Sequence, residues 1–111
     1  MDAFDLPEIL LQHRRHGQRY HEFLRTDSLS LGTYLLKAGE VDPQLPHTED
    51  EVYHVLGGRG IIRVGEEDTP VSAGSTVFVA VGVEHRFHSI TEDLSLLVFW
   101  APPWQSRAKT T

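Results

Sequence analysis

The chain has 111 residues, which is enough for one domain with an ordinary hydrophobic core. It contains no cysteine, so disulfides, thiolate nucleophiles and cysteine-held metal centres are excluded. A formal net charge of −6, with only short basic stretches, argues against nucleic-acid binding, which requires a positive surface. We find no signal-peptide pattern and no apolar run of about 20 residues, and therefore expect a cytoplasmic protein without a membrane partner.

A short helix is predicted first, from Leu6 to about Arg14, with Pro7 in its first turn and Gly17 at its end. From Tyr20 onward, short segments rich in β-branched, aromatic and aliphatic residues alternate with Gly, Pro, Asp and Ser, a pattern typical of strands. Strands are predicted near residues 20–25, 29–37, 51–57, 60–65, 69–72, 76–80, 85–90 and 94–100.

The predicted turns between these strands include Gly57-Gly58 and Thr91-Glu92-Asp93. No segment between the strands has helical length and period, so the pattern favours a barrel or sandwich over alternating strands and helices. We expect an N-terminal segment over residues 1–19, a barrel over 20–101 and a mobile tail over 102–111.

Two stretches of the chain combine histidines and carboxylates with strand-like alternation. In an extended strand every second side chain points to the same face. The first such face holds His47, Glu49, Glu51, Tyr53 and Val55, and the second holds His85, Phe87 and Ser89. A small barrel fills its interior from such faces, so the two sets can meet inside it.

A buried carboxylate beside neutral imidazoles is costly unless a cation pairs with it. Two histidines and one carboxylate that leave open positions form a pattern used for non-haem Fe(II), and a similar set holds catalytic Zn²⁺. The sequence therefore predicts a divalent metal held by histidines and a carboxylate of these two faces.

The same two stretches resemble the two sequence motifs of the cupin superfamily. The first motif runs from Gly through His-x-His to Glu and then to Gly, and it is matched by His47 and Glu51, with Gly58 close to its final position. The second is matched at Gly74, Gly82 and His85. The resemblance covers residues 39–89 and implies an all-β fold, a cupin jelly-roll β-barrel, here preceded by a short N-terminal helical segment.

The chain departs from the cupin motifs at several positions. Leu45 stands where the family has its first histidine, which reduces the ligand set to His47, Glu51 and His85. Gln44 and Glu49 are candidates for an additional ligand. Ala80 replaces the motif proline and Ser89 the motif asparagine, and neither change threatens the fold.

We expect a metal-binding small cupin that acts as an enzyme, of the oxygenase or the isomerase or lyase type, on a small polar organic molecule in the barrel. The ion is divalent, and Fe, Mn, Zn and Ni are not distinguished. The alternatives are a non-catalytic small-molecule-binding or sensor cupin, and a barrel whose metal is purely structural. Glu49 and Tyr53 are candidate catalytic residues because they share the face of Glu51.

The remaining expectations concern the pocket, the other histidines and assembly. The predicted pocket residues are Tyr34, Tyr53, Phe87, Ser89 and Phe99. His54 and His88 have the opposite parity from Glu51 and His85, so we expect them on the surface. Exposed strand edges at the barrel mouth favour a homodimer, and the resemblance points the same way.

Overall fold

The computed structural model describes residues 1–43 and 46–106, which form one helix and six strands. These elements are α1 (Leu6–His16), β1 (Tyr20–Arg25), β2 (Ser30–Leu36), β3 (Asp50–Val64), β4 (Glu67–Ser72), β5 (Thr76–Val79) and β6 (His85–Ala101). Within these ranges, no helix has the length and apolar character needed to cross a bilayer. The predicted all-β fold with a short N-terminal helix is confirmed.

Helix α1 begins with Pro7 in its first turn and ends at Gly17, whose φ of 69° is in the left-handed region. The helix packs on the sheet through Ile9 and His13, its two buried residues. His13 is fully buried, and its ring nitrogens contact the Thr33 hydroxyl at 2.7 Å and the Gln18 carbonyl at 2.6 Å. This histidine therefore has a structural role in attaching the helix.

The strands pair antiparallel in the order β1-β2-β6-β3-β4, and β5 pairs with β3. β3 and β6 are much longer than predicted, because each contains what we expected to be two strands. The turns predicted at Gly57-Gly58 and Thr91-Glu92-Asp93 are wrong: both stretches lie within these continuous strands.

The two mistaken turns lie opposite each other in a bent part of the β3–β6 ladder. Register shifts occur between Val55 and Gly57, and again between Gly57 and Arg59. Gly58 has a φ of 95°, and a Cβ atom there would lie 2.1 Å from the Asp93 carbonyl oxygen. Glycine is therefore required for a bulge that bends the strand without ending it.

The core lies between the inward faces of the bent strands. In β3 the inward residues before the bend are Glu51, Tyr53 and Val55. In β6 the inward series changes from odd to even numbers at Ser89, which has a φ of 49°. The buried core consists of Tyr34, Leu36, Tyr53, Val55, Ile62, Val71, Val79, Phe87, Ile90, Leu94, Leu96, Val98 and Trp100.

Candidate metal site

The structure brings His47, Glu51 and His85 together on the inner side of the barrel. Each offers one ligand atom, and the three atoms all lie within 4.8 Å of one another. Glu51 lies near the start of β3, His85 is the first residue of β6, and His47 lies in the segment that precedes β3. Two strands and a loop therefore supply one ligand each to a candidate metal site.

Glu51 and His85 are buried, with exposed fractions of 2% and 6%. His85 Nε2 lies 3.0 Å from Glu51 Oε1. Among the described residues, however, neither His85 Nε2 nor either Glu51 oxygen has a hydrogen-bond partner of acceptable geometry. Buried polar atoms in native proteins nearly always have such a partner. A divalent cation would supply it, so these residues fit a metal ion.

The other nitrogen of His85 fixes the orientation of its ring. Nδ1 lies 2.9 Å from the Val83 carbonyl oxygen, which can only accept a hydrogen bond. Nδ1 therefore carries the hydrogen, and the lone pair of a neutral His85 is on Nε2, facing Glu51. Metal-binding histidines are commonly oriented by a second hydrogen bond of this kind.

His47 is positioned by backbone and ring contacts. Its carbonyl oxygen accepts a hydrogen bond from the Gly82 N–H at 2.9 Å. Its ring packs edge-on against Trp100, with 4.6 Å between ring centroids, and lies 5.1 Å from the ring of His85. These contacts connect the His47 loop to the turn before β6 and to β6 itself.

Burial shifts the pKa of each ligand candidate. The pKa of His47 falls to about 4, first because burial disfavours the imidazolium and second because His85 is close. Burial raises the pKa of Glu51, although His85 and Tyr53 stabilise its carboxylate. Burial by itself lowers the pKa of His85, but Glu51 and the Val83 carbonyl outweigh it and raise the pKa overall.

The pKa of His47, lowered by burial to about 4, leaves its imidazole neutral at pH 7, as a metal ligand must be. Burial raises the pKa of Glu51, because a carboxylate is costly in this environment without a cation beside it. A divalent ion at the Glu51–His85 contact would supply that positive charge.

A cavity of about 140 Å³ opens beside His47 and Glu51. Besides these two, its wall consists of Tyr20, Tyr34, Tyr53, Val98, Trp100 and Trp104. The predicted pocket residues Tyr34 and Tyr53 therefore line the cavity. Phe87 is fully buried and packs edge-on against Tyr53 at 4.9 Å, in the core behind this wall.

The other two predicted pocket residues, Ser89 and Phe99, do not reach the cavity. Ser89 is exposed, and its positive φ is the point at which the alternation of β6 changes parity. Beyond it, even-numbered residues such as Val98 and Trp100 point inward, and Phe99 points outward with 37% of its surface exposed. The prediction was wrong because simple alternation does not continue through an irregular strand.

Glu49 is buried but does not join the three ligands. One of its carboxylate oxygens accepts a hydrogen bond from the hydroxyl of Thr48, and the other accepts one from the Gln105 N–H at 2.8 Å. The structure therefore uses Glu49 to hold the chain after β6 and does not support it as a ligand or catalytic group. The other additional ligand candidate, Gln44, and Leu45 lie outside the described residues.

Asp42 is a residue of the site that the sequence analysis missed. It is 2% exposed and lies in the segment between β2 and β3. Its Oδ1 accepts a hydrogen bond from the Tyr34 hydroxyl at 2.6 Å, and its Oδ2 accepts one from the Phe87 N–H at 3.0 Å. Alternation could not have identified it, since the segment around it is not a strand.

The chain after β6 also contributes to the site, which we did not predict. Residues 102–106, here called the C-terminal strap, bring Trp104 to the cavity wall. The Trp104 N–H donates to the Ser30 hydroxyl at 2.9 Å, and Arg25 donates to the Trp104 carbonyl at 3.0 Å. With the bond from Gln105 to Glu49, these contacts attach the strap, the first part of the tail that we expected to be mobile, to the barrel. Residues 107–111 of that tail lie outside the described residues.

The remaining histidines of the two motif stretches point away from the site. His54 lies 2.8 Å from the Thr76 hydroxyl in an exposed contact between β3 and β5. His88 pairs with Asp68 at 2.8 Å, also on the outer surface. These positions agree with the parity argument and provide control residues for experiments on the site.

Comparisons with known proteins agree with this architecture. A family model described as Cupin domain matches residues 32–101. Uncharacterized protein SCO3923 from Streptomyces coelicolor is 48% identical over 103 residues, which cover 93% of this chain and 98% of that protein.

Two solved structures extend the comparison. The TT1209 structure from Thermus thermophilus matches with a TM-score of 0.74 and 24% identity, over 93% of this chain and 99% of that one. An RmlC-like cupin family protein from Methanocaldococcus jannaschii, described as a double-stranded β-helix, matches with a TM-score of 0.68 and 18% identity, over 75% of this chain and 78% of that one. The chain therefore belongs to the cupin family and has its β-barrel fold.

Proposed function

We propose that the protein is a metal-dependent cupin that binds one divalent ion through His47, Glu51 and His85. The observation that carries this proposal is the set of buried atoms on Glu51 and His85 without hydrogen-bond partners of acceptable geometry among the described residues. Their place beside His47 gives the two-histidine, one-carboxylate pattern that leaves further metal positions open. A ligand in the adjoining cavity could occupy those positions.

Each of the three proposed ligands has its own role. His85 presents Nε2 because Val83 holds its other nitrogen. His47 remains neutral near pH 7 because burial lowers its pKa to about 4. Glu51 supplies the negative charge that offsets the ion. A bound divalent metal would supply Lewis-acid polarisation of a coordinated oxygen, and redox chemistry as well if it is iron.

Metal analysis of protein purified without chelators or a His-tag column tests this proposal. We expect close to one ion per chain in the wild type and almost none in His47→Ala or His85→Ala. His54→Ala is the matched control, because His54 is on the outer face and bonded to Thr76. Absence of metal from the wild type, with no binding at micromolar concentration, would refute the proposal, as would equal loss in all three variants.

We further propose that the bound metal serves an enzyme acting on a small organic molecule held in the cavity. Tyr53 is the candidate proton donor, since it lines the cavity together with Glu51. Tyr53→Phe should then lower turnover while leaving the metal content unchanged. Substrates to screen are diketones and catechols, with oxygen uptake and product formation as the measurements.

A non-catalytic binding or sensor protein is the second candidate. Apart from Glu51 and His47, the ionisable residues that the described chain places on the cavity wall are tyrosines. Burial raises the pKa of Tyr20 and Tyr34 above the ordinary value of 10, so both hydroxyls stay protonated at neutral pH and neither can accept a proton from a substrate. Saturable ligand binding without turnover across the screen would support this candidate over the enzyme.

We also propose that two copies associate through the outer face of the sheet. Phe78, Val52, Phe99 and Leu31 follow one another across β5, β3, β6 and β2 in the strand register. Phe78 is 61% exposed and Phe99 is 37% exposed. A row of apolar side chains with exposed aromatic members is the kind of surface that marks protein–protein contacts.

The oligomeric state tests the association. Light scattering after size exclusion should give twice the chain mass for the wild type and a single chain mass for Phe78→Ser combined with Phe99→Ser. Val81→Ser, at another exposed apolar position, is the control and should remain dimeric. A monomeric wild type would exclude the dimer.

A further inference from the structure

We propose that the ligand of this site is a small organic molecule whose only charged group is the one that binds the metal. This inference rests on the proposed metal site and adds the size and charge of the molecule that occupies the cavity. It further assigns Trp104 as the residue that limits ligand size.

The volume of the cavity limits the size of the ligand, which we call the size limit. At about 140 Å³ it is close to the volume of a cavity that accommodates one benzene molecule. Binding sites for larger organic ligands start at about twice that volume. The part of the ligand that lies inside the cavity therefore contains about one small ring, or a short chain of similar volume.

The composition of the cavity wall limits the ligand to a single charged group, the one at the metal; we call this the charge limit. None of the residues that the described chain places there is lysine or arginine. The Tyr34 hydroxyl hydrogen is already donated to Asp42, and the Trp100 N–H is already donated to the Tyr20 oxygen. An anionic group held away from the metal would be buried without a lysine or arginine partner on the described part of the wall, which is strongly unfavourable.

Trp104 forms part of the cavity wall, and the C-terminal strap holds it there. Its ring lies 5.0 Å from that of Tyr20 and 6.2 Å from that of Trp100, measured between centroids. The strap is attached to three separate parts of the barrel, by Ser30, Glu49 and Arg25. A tryptophan held this firmly restricts the space for a ligand, so its removal should enlarge the cavity.

Three size-related carboxylic acids test the charge limit. Crotonate, fumaramate and fumarate each have one carboxylate for the metal, and the far end bears a methyl group, a neutral amide or a second carboxylate. The trans double bond prevents both ends of fumarate from reaching one ion. The chain has two tryptophans and both line the cavity, so the two indole N–H signals in NMR spectra report binding directly.

With metal-loaded protein we expect crotonate and fumaramate to shift both indole signals at similar concentrations. Fumarate, which matches fumaramate in shape, should bind at least tenfold more weakly. Equal binding of fumarate and fumaramate would overturn the charge limit. Failure of all three to shift either indole signal would overturn the proposal as a whole.

A second experiment, on metal-free protein, distinguishes failure of this inference from failure of the metal proposal. If the purified protein binds no metal, the metal proposal fails, but the cavity remains to be tested with neutral crotonamide against crotonate. The charge limit predicts that crotonamide shifts the indole signals of metal-free protein and that crotonate does so at least tenfold more weakly. The reverse order of affinity would contradict it.

Cinnamate tests the role of Trp104 as a size limit, because it replaces the methyl group of crotonate by a phenyl ring. Wild-type protein should bind cinnamate at least tenfold more weakly than crotonate, and Trp104→Ala should remove this difference while the Trp100 signal reports binding. Phe4→Ala, which removes an exposed aromatic ring before the helix and outside the proposed dimer face, is the control and should behave as the wild type. Equal binding of the two acids by the wild type would refute the size limit.

Discussion

Tyr34 donates its hydroxyl hydrogen to Asp42 across 2.6 Å inside the barrel, and the second Asp42 oxygen accepts the Phe87 N–H at 3.0 Å. One buried carboxylate thus joins the loop before β3 to β2 and to β6. The same loop carries His47, so the position of a candidate metal ligand depends on this contact.

Removing the Tyr34 hydroxyl should therefore destabilise the fold. We expect Tyr34→Phe to lower the free energy of unfolding by about 1.5–3 kcal/mol, since it deprives a buried charged acceptor of a hydrogen bond. Urea denaturation of Tyr34→Phe, Asp42→Asn and the double variant measures the coupling. If the two single effects simply add, the two side chains do not stabilise the protein through their contact.

Glu51→Gln should make the protein less stable than the wild type only when metal is present. In metal-free protein the change removes a buried carboxylate, whose pKa burial raises, so stability should be unchanged or increased. Saturating metal should stabilise the wild type, by about 2.7 kcal/mol at a hundred times the dissociation constant, and should not stabilise the variant. Thermal unfolding with added metal measures both, and an equal gain in the two proteins would exclude Glu51 as a ligand.

Glu49→Ala should release the C-terminal strap without removing the metal. The variant loses the acceptor for the Gln105 N–H, so the Trp104 indole should become more exposed to water and its fluorescence should shift to longer wavelength. Glu49→Gln retains an oxygen acceptor and should largely restore the wild-type spectrum. Loss of metal from Glu49→Ala to the extent seen in His85→Ala would instead make Glu49 a ligand.

His13 should make stability depend on pH below about 6.5. Burial lowers the pKa of His13 from its ordinary value of 6.5, so the unfolded chain takes up the proton first as the pH falls. The stability contribution of neutral His13 is therefore complete above 6.5 and decreases from there toward the lowered pKa. His13→Gln does not titrate, and the difference in unfolding free energy between wild type and variant should shrink over that range; a constant difference would contradict the mechanism.

Because of the bulge at Gly58, replacing it by alanine should cost much more stability than replacing the adjacent Gly57. Gly58→Ala should destabilise the fold by about 1–3 kcal/mol, because its positive φ and the close Asp93 carbonyl leave no room for a methyl group. Gly57→Ala is the control: no atom lies within 4 Å of its added Cβ, and the change should stay within about 0.5 kcal/mol. Equal loss from both would show that the bulge tolerates a side chain.

The regular parts of the fold could be predicted from the sequence. Alternation identified Glu51 and Tyr53 as inward residues of one strand, and His85 as the inward residue at the start of another. It also placed His54 on the outside, where the structure has it. These predictions were correct because each residue lies in an unbroken stretch of strand.

The irregular parts could not be predicted in this way. Ser89 adopts a positive φ, which shifts the alternation and moves Phe99 from the predicted pocket to the surface. Asp42 and Trp104 reach the site from segments without strand period, and only their tertiary hydrogen bonds position them. Such contacts depend on the whole fold and leave no local pattern in the sequence.

The strand register implies an order of events during folding. Glu51 lies opposite both Val79 of β5 and Trp100 of β6, and His85 lies opposite Val64 at the far end of β3. The candidate metal site therefore closes only after β6 has paired along β3, and such non-local pairing is slow. A metal bound there would slow the unfolding of the barrel and leave its folding rate almost unchanged.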